Sequence, residues 1–538
     1  MAGRRPTLFV LALVGAFGVG CSYSWTDAAD GAATSESGPS CFIGELGCEC
    51  TLGGGCDPGL ECDAGVCVEP GTEETAGACT SAGCACEETA DCDPGLICEA
   101  NECISTTCGD GIVDPGEACD DANEFDGDGC DNDCSETEIL ALALGGVHTC
   151  ALIEGGRVRC WGSNSFGQIG TGNFANVGDD EPASAAVDLP LPAVVDIAAG
   201  GSHTCAILEN GDLRCWGGNG SGQLGLGNTA AVTALGDDET IAGAIETDLG
   251  APVQEVSLGV AQSCGLANNT LRCWGAGLYG QLGTSSTMTI GDDEVPLAIE
   301  AVMIGAEPVK LAVGASHGCV LLGTGGLRCW GRGNTGQLGY GSNQNVGDNE
   351  HPVTLPEIDA VPPVVPPGTT VLEIGAGLGH TCARLSSNDV ICWGKGDVGQ
   401  LGNGDPMNWG DQPNELPSGL APIALGGPAL GLAVGYEHNC ALLDNGQVRC
   451  WGEGSAGQLG YGNEDNVGLA TLPAEEDPVQ LGAQAVAIYA GGAHTCAILV
   501  ENEVICWGNN DFGQLGYGHT ILIGDDEVPE VAGPIEVL

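Results

Sequence analysis

Acidic residues supply the first candidate chemistry. Gly-Asp-Asp-Glu stands at 178–181, 236–239, 291–294 and 524–527, with Gly-Asp-Asn-Glu at 347–350 and a remnant at Gly410-Asp411. Neighbouring carboxylates helped by backbone carbonyls suit a hard cation, which takes several oxygens at about 2.3–2.6 Å. The expected ligands are Asp179, Asp180, Glu181, Asp237, Asp238, Glu239, Asp292, Asp293, Glu294, Asp525, Asp526 and Glu527, and the cofactor they would take is calcium. The plainer alternative is a solvated edge that keeps the molecule soluble. Asp126, Asp128, Asp131 and Asp133 alternate like hard-cation ligands and are a further candidate calcium site, with a solvated acidic loop as the alternative, although their loop lacks the closing Glu of an EF-hand. His148, His203, His317, His380, His438 and His494 recur at one position, with Gln262 as the seventh member. Equivalent positions in separate units lie too far apart to share an ion, so structural hydrogen bonding is their expected role. No Ser/His/Asp set, Gly-x-Ser-x-Gly elbow or His-Glu-x-x-His pattern occurs, so no catalytic residue is assigned and an enzyme is not expected.

The chain that must position these groups has 538 residues, 93 of them Gly, with 4% aromatic and 16% charged residues. Acids outnumber bases 74 to 12, a formal charge of −62. Such a surface repels phosphate backbones and anionic lipid, which excludes nucleic acid as a partner and membranes as a charge-held one. Thirty-one cysteines at regular spacings point to an oxidising, extracytoplasmic compartment. Thr7 to Gly20 is an apolar run behind Arg4 and Arg5 and reads as a signal-peptide core. It ends in Gly18-Val19-Gly20-Cys21, which resembles a bacterial lipoprotein signal, although the family usually has Leu where Gly18 stands. Lipidation of Cys21 would leave an even number of cysteines to pair.

Residues 22–40 are small, polar and aperiodic, as in a flexible tether. Residues 41–103 hold two copies of one six-cysteine pattern, both containing Cys-Asp-Pro-Gly-Leu. Each copy is too short to hold together by burial and is expected to rest on three disulfides, whose connectivity spacing alone leaves open. Residues 108–134 hold Cys108, Cys119, Cys130 and Cys134 among the alternating Asp residues and resemble a short cysteine-rich repeat of bacterial surface proteins.

From Ile139 onward one unit recurs seven times, marked by Cys-Trp-Gly starting at Cys160, Cys215, Cys273, Cys329, Cys392, Cys450 and Cys506 and followed by Gly-Gln-Leu-Gly or a variant. Short apolar runs around turn residues read as strands, with no helical periodicity. Six units place two cysteines ten apart, which fits a hairpin with a three-residue loop whose third residue is left-handed. Those residues are Gly156, Gly211, Gly325, Asn388, Gly446 and Asn502; the remaining unit has a two-residue loop, Asn268-Asn269. Directly opposed residues lie within disulfide range. The expected pairs are Cys150–Cys160, Cys205–Cys215, Cys264–Cys273, Cys319–Cys329, Cys382–Cys392, Cys440–Cys450 and Cys496–Cys506. About 57 residues per unit suffice for a four-stranded blade, and seven blades close into a ring.

Gly-x-x-His-(Thr/Gly)-Cys, Cys-Trp-Gly and Gly-Gln-Leu-Gly in seven in-phase copies resemble the regulator of chromosome condensation repeat. The resemblance implies an all-β, seven-bladed β-propeller over 139–538, here preceded by small disulfide-rich modules. The paired cysteines depart from the family's usual pattern and fit an exported variant, a bacterial lipoprotein of the outer membrane or cell surface, or else a secreted protein. The seven tryptophans would pack between blades, and the Gly-Gln-Leu-Gly glycines would allow close blade contact. The Gly of the acidic motif follows the last Gly of Gly-Gln-Leu-Gly by eight residues in five units, so these loops should share one annulus. Its Gly-Asp turn should start the outer strand.

The expected function is a tethered, non-catalytic, monomeric scaffold that binds a surface protein or glycan. An exported bacterial relative that inhibits β-lactamase shows the fold acting as a protein-binding disc. The alternatives are guanine-nucleotide exchange, by family analogy alone, and an envelope enzyme of polysaccharide or lipid turnover.

Overall fold

The computed structural model describes residues 134–229, 234–243 and 246–538, together with Cys119, Cys130 and the strands Glu61–Asp63, Val66–Val68, Leu96–Glu99 and Glu102–Ser105. Two compact units comprise residues 1–106 and 107–538. The first contains two antiparallel hairpins, with Cys62 opposite Cys67 and Cys98 opposite Cys103. Cys21, the tether at 22–40 and Asp126, Asp128, Asp131 and Asp133 lie outside the described residues. In the second unit Cys119 is bonded to Cys130, with Cα atoms 5.7 Å apart.

The rest of the second unit is seven antiparallel sheets, one per sequence repeat. The first blade runs through an inner strand Ile139–Leu144, a middle strand His148–Ile153 and an outer strand Arg157–Gly162. The six others repeat this order, ending with Ala485–Ala490, His494–Leu499 and Val504–Gly508. Inner strands of consecutive blades touch, and the seventh touches the first, so the blades form a closed ring around an axis. Sequences such as His-Thr-Cys-Ala-Leu-Ile suit a middle strand because every residue of it is buried, covered on both sides by neighbouring blades.

Turn chemistry sets the register. Gly156, Gly211, Gly325, Asn388, Gly446 and Asn502 all have positive φ, as do Asn268 and Asn269. The two cysteines of each hairpin then stand directly opposite one another, for instance Cys205 against Cys215 and Cys264 against Cys273. All seven opposed pairs are disulfides: 150–160, 205–215, 264–273, 319–329, 382–392, 440–450 and 496–506. Their Cα atoms lie 4.0–4.1 Å apart.

The fourth strand expected of each blade is nearly absent. Among the described residues only blade two has one, the two residues Ala234–Leu235. Elsewhere the returning chain touches the outer strand at two separated points. In blade one Val177 bridges Gly162, and the Leu189 N–H donates to the Val158 carbonyl. Gly, Pro and acidic residues fill the stretch between, and these break a ladder. The acidic motif therefore follows this short contact rather than starting a strand.

Blade seams repeat one set of contacts. Each tryptophan is fully buried and donates its indole N–H to the carbonyl of the Gln in the preceding Gly-Gln-Leu-Gly, as in Trp216 to Gln168 at 3.0 Å. The last Gly of that motif lies beneath the ring; a Cβ on Gly170 would stand 3.0 Å from the Trp216 Nε1. The seventh seam obeys the same rule: Trp161 donates to Gln514 and Gly492 to Gly145. Each blade is thus one continuous segment, and no strand is exchanged to close the ring.

Candidate functional site

Strand direction divides the ring into two faces. The hairpin turns and the starts of the inner strands share one face; the ends of the outer strands and the acidic loops share the opposite one. In each acidic motif the Gly holds the loop in place. Gly178 has φ +98°, a Cβ on it would lie 2.3 Å from the Gly513 carbonyl oxygen, and its own carbonyl accepts from the Gly518 N–H. Gly236, Gly291, Gly347, Gly410, Gly468 and Gly524 stand in the same relation to the preceding blade, including Gly468, which no acid follows. The glycine serves the seam; the acids are added to it.

Those acids converge. Within Asp179–Asp180–Glu181, Asp237–Asp238–Glu239, Asp292–Asp293–Glu294 and Asp525–Asp526–Glu527, one oxygen from each carboxylate lies within 4.8 Å of the others. Two oxygens on one calcium ion stand at most about 5 Å apart, so each triad meets that distance condition. Partial desolvation, with hydrogen bonding and repulsion from the neighbouring Asp carboxylates, pushes Glu181, Glu294 and Glu527 up to about 7 and raises Glu239 and Glu350.

The histidines are fully buried and belong to the seams. His148 Nε2 lies 2.8 Å from Thr204 Oγ1, whose hydroxyl donates to the Gln168 carbonyl at 2.8 Å. Since that hydroxyl is spent as a donor, the imidazole N–H must sit on Nε2. His438–Thr495 and His494–Thr149 repeat the relay, and His380 meets Asn439 Oδ1 at 2.9 Å. At the third seam both partners change together: Gln262 replaces His, Gly318 replaces Thr, and Gln262 donates to the His317 carbonyl instead. Desolvation holds His148 and His380 down at about 4 and His203, His317, His438 and His494 at about 3. They are neutral structural groups.

The axial channel is narrow. A cavity of about 110 Å³ is lined by the inner-strand ends, among them Leu144, Leu258 and Val313, with Tyr436 reaching across toward Gly146. Exposed apolar side chains differ from blade to blade: Phe166 and Phe512 precede Gly-Gln-Leu-Gly in adjacent blades, and Leu278, Met288 and Met407 lie on other loops of the acidic face. Sequence reasoning missed Asp196, Glu255 and Lys310, which line a cavity of about 390 Å³ on the hairpin face. Nothing in a six-residue strand such as Val-Gln-Glu-Val-Ser-Leu marks its acid as facing that mouth.

Residues 107–468 match the RCC1-like domain, and residues 445–498 and 485–514 each match the regulator of chromosome condensation (RCC1) repeat. The ultraviolet-B receptor UVR8 of Arabidopsis thaliana is 26% identical over 405 residues, 74% of this chain and 83% of that protein. The E3 ubiquitin-protein ligase HERC2 of Mus musculus is 30% identical over 249 residues, 46% of this chain but only 5% of the relative's length. Among solved structures, yeast RCC1 (Prp20) bound to Kap60 has a TM-score of 0.54 at 20% identity, covering 79% of this chain and 90% of that one. Human WBSCR16 gives 0.53 at 19%, covering 68% and 88%. Both structures share the fold. With its seven Cys-Trp-Gly blades and their repeated seams, the chain belongs to the RCC1-like family of β-propellers.

Proposed function

We propose that this propeller is an exported, surface-tethered scaffold that binds a protein or glycan and performs no catalysis. The carrying observation is that the repeated His, Thr and Gln side chains are consumed inside the seams, while exposed loop residues such as Phe166, Leu278 and Met407 differ from blade to blade. A rigid frame with variable loops is the general arrangement of a binding protein. Disulfides in every blade fit an oxidising compartment, and no helix among the described residues is long and apolar enough to cross a membrane. Cys21 is the proposed lipid anchor and residues 22–40 the tether. Cell fractionation with surface proteolysis, combined with labelling by a palmitate analogue, tests this reading. Surface-accessible chain whose label is lost in Cys21→Ala supports it; chain recovered in the cytosol refutes it.

Calcium at the acidic triads is a second element of the proposal, favoured by their convergence within 4.8 Å. Bound ions would relieve the repulsion among carboxylates on one rim and could bridge to anionic glycans. A melting temperature raised by millimolar calcium beyond what matched sodium chloride achieves supports it; equal effects of the two salts leave only screening.

A further inference from the structure

A β-bulge recurs at one place in all seven blades, where the inner strand slips register after its first residue. The skipped residue leaves the ladder. In six blades it is aliphatic: Leu140, Val195, Val309, Leu372, Leu430 and Val486, each between 44% and 56% exposed. In blade three it is Gln254, so the ring does not require an apolar group there. Equal register in equivalent blades sets these side chains on one circle around the axial mouth, on the hairpin face. Single exposed aliphatics need no explanation, whereas six at one repeated position form an apolar surface.

Charge lies beside the circle. The next residue is Asp196, Glu255, Lys310 or Glu373 in blades two to five. Glu373 is paired with Arg384 at 2.8 Å, and Glu255 accepts a hydrogen bond from the Leu311 N–H at 3.1 Å. Among the described residues neither Asp196 nor Glu255 has a cation within ion-pair distance. Burial raises both from their ordinary values, with a backbone hydrogen bond to each and then Lys310 partly opposing the rise. Together with Val309 and Lys310 they line the cavity of about 390 Å³.

We propose that this circle is the docking surface for a partner protein that presents a Lys or Arg amid apolar side chains, the cation entering between Asp196 and Glu255. The inference rests on the scaffold reading above and names the face and the partner chemistry. A second copy of the chain is a poor occupant, because it would bring another net charge of −62 against these carboxylates.

The test uses the full-length chain and two fluorescent amphipathic peptides, one of Lys and Leu and its Glu-for-Lys counterpart, followed by anisotropy at physiological salt. One variant replaces three of the six apolar residues, those nearest the carboxylates in blade order (Leu140→Asn with Val195→Asn and Val309→Asn). A second, isosteric one, Asp196→Asn with Glu255→Gln, keeps the fold intact. A third, Glu464→Gln with Asp465→Asn, removes two exposed charges from the opposite face, outside the acidic triads. The expected result is saturable, one-to-one binding of the Lys peptide, weakened about tenfold by either hairpin-face variant and unchanged by the third. Equal loss in all three variants, or equal binding of the Glu peptide, would overturn the proposal as diffuse charge or general stickiness. A partner cross-linked at the cell surface that still binds the first two variants would sink this docking surface and leave the scaffold reading intact. Chain found only in the cytosol would sink the scaffold reading instead.

Discussion

Replacing His148 by Gln should destabilise the propeller at neutral pH and cease to do so in mild acid. The variant loses the hydrogen bond to Thr204 and leaves that oxygen short of a donor, a cost of about 1–3 kcal/mol at neutral pH. Gln fits a related site, since Gln262 occupies it in blade three. His148 is neutral in the fold because burial lowers it to about 4, while in the unfolded chain it protonates near 6.5. A lowered folded value means that the contribution is complete above the unfolded value and is lost as pH falls from there toward 4. The parent therefore loses about 1.4 kcal/mol per pH unit for this one residue, and the variant does not. By pH 5 the loss reaches about 2 kcal/mol and by pH 4 about 3 kcal/mol, so the two proteins should become equally stable between about pH 4 and 6, with the variant ahead below the crossing. Guanidinium unfolding with disulfides intact, run on both proteins from pH 7 to 4, measures the difference. Subtraction removes the large background from net charge and from the raised rim glutamates, which titrate in the opposite sense. A difference that stays constant with pH would refute the buried neutral histidine.

Trp330→Phe should cost about 1–2 kcal/mol for the lost bond to the Gln281 carbonyl, and Trp330→Ala about 3–5 kcal/mol with the cavity added, both read by chemical denaturation. Gly178→Ala should open the seam between blades seven and one, because its Cβ would collide with the Gly513 carbonyl at a positive φ. Hydrogen exchange should then quicken at Gly518, whose N–H bonds Gly178, more than at the matching Gly462 of another seam. Replacing Cys264 and Cys273 together by Ser should cost up to about 2–3 kcal/mol, less than a longer loop would, and leave the ring closed.

Much of this fold was legible because its rules are local. Cysteine spacing and the Gly or Asn at each hairpin turn specify register within a dozen residues, and Cys205 meets Cys215 as that arithmetic requires. The seams were less legible, since His148 and Thr204 are 56 residues apart and meet only after the ring forms. A signal was present in the joint departure of Gln262 and Gly318 at one seam, which marks two positions that work as a pair. The bulges were invisible, because Ile-Leu-Ala-Leu-Ala-Leu alternates like an unbroken strand. Length alone does not reveal the scant fourth strand: the residues suffice, but their Gly, Pro and acids hold two contact points in place of a ladder. The acids' seat was anticipated through the Gly of their motif, whereas their chemistry depends on side-chain convergence that spacing alone does not convey.

Export and hairpin register meet in one measurement. Cells are treated with a thiol-blocking reagent before lysis, and the purified chain is digested without reduction and mapped by mass spectrometry. The account predicts no blocked cysteine in the propeller and seven short-range pairs, 150–160, 205–215, 264–273, 319–329, 382–392, 440–450 and 496–506. Free thiols at these positions would place the chain in a reducing compartment, and pairs between different blades would contradict the ring itself.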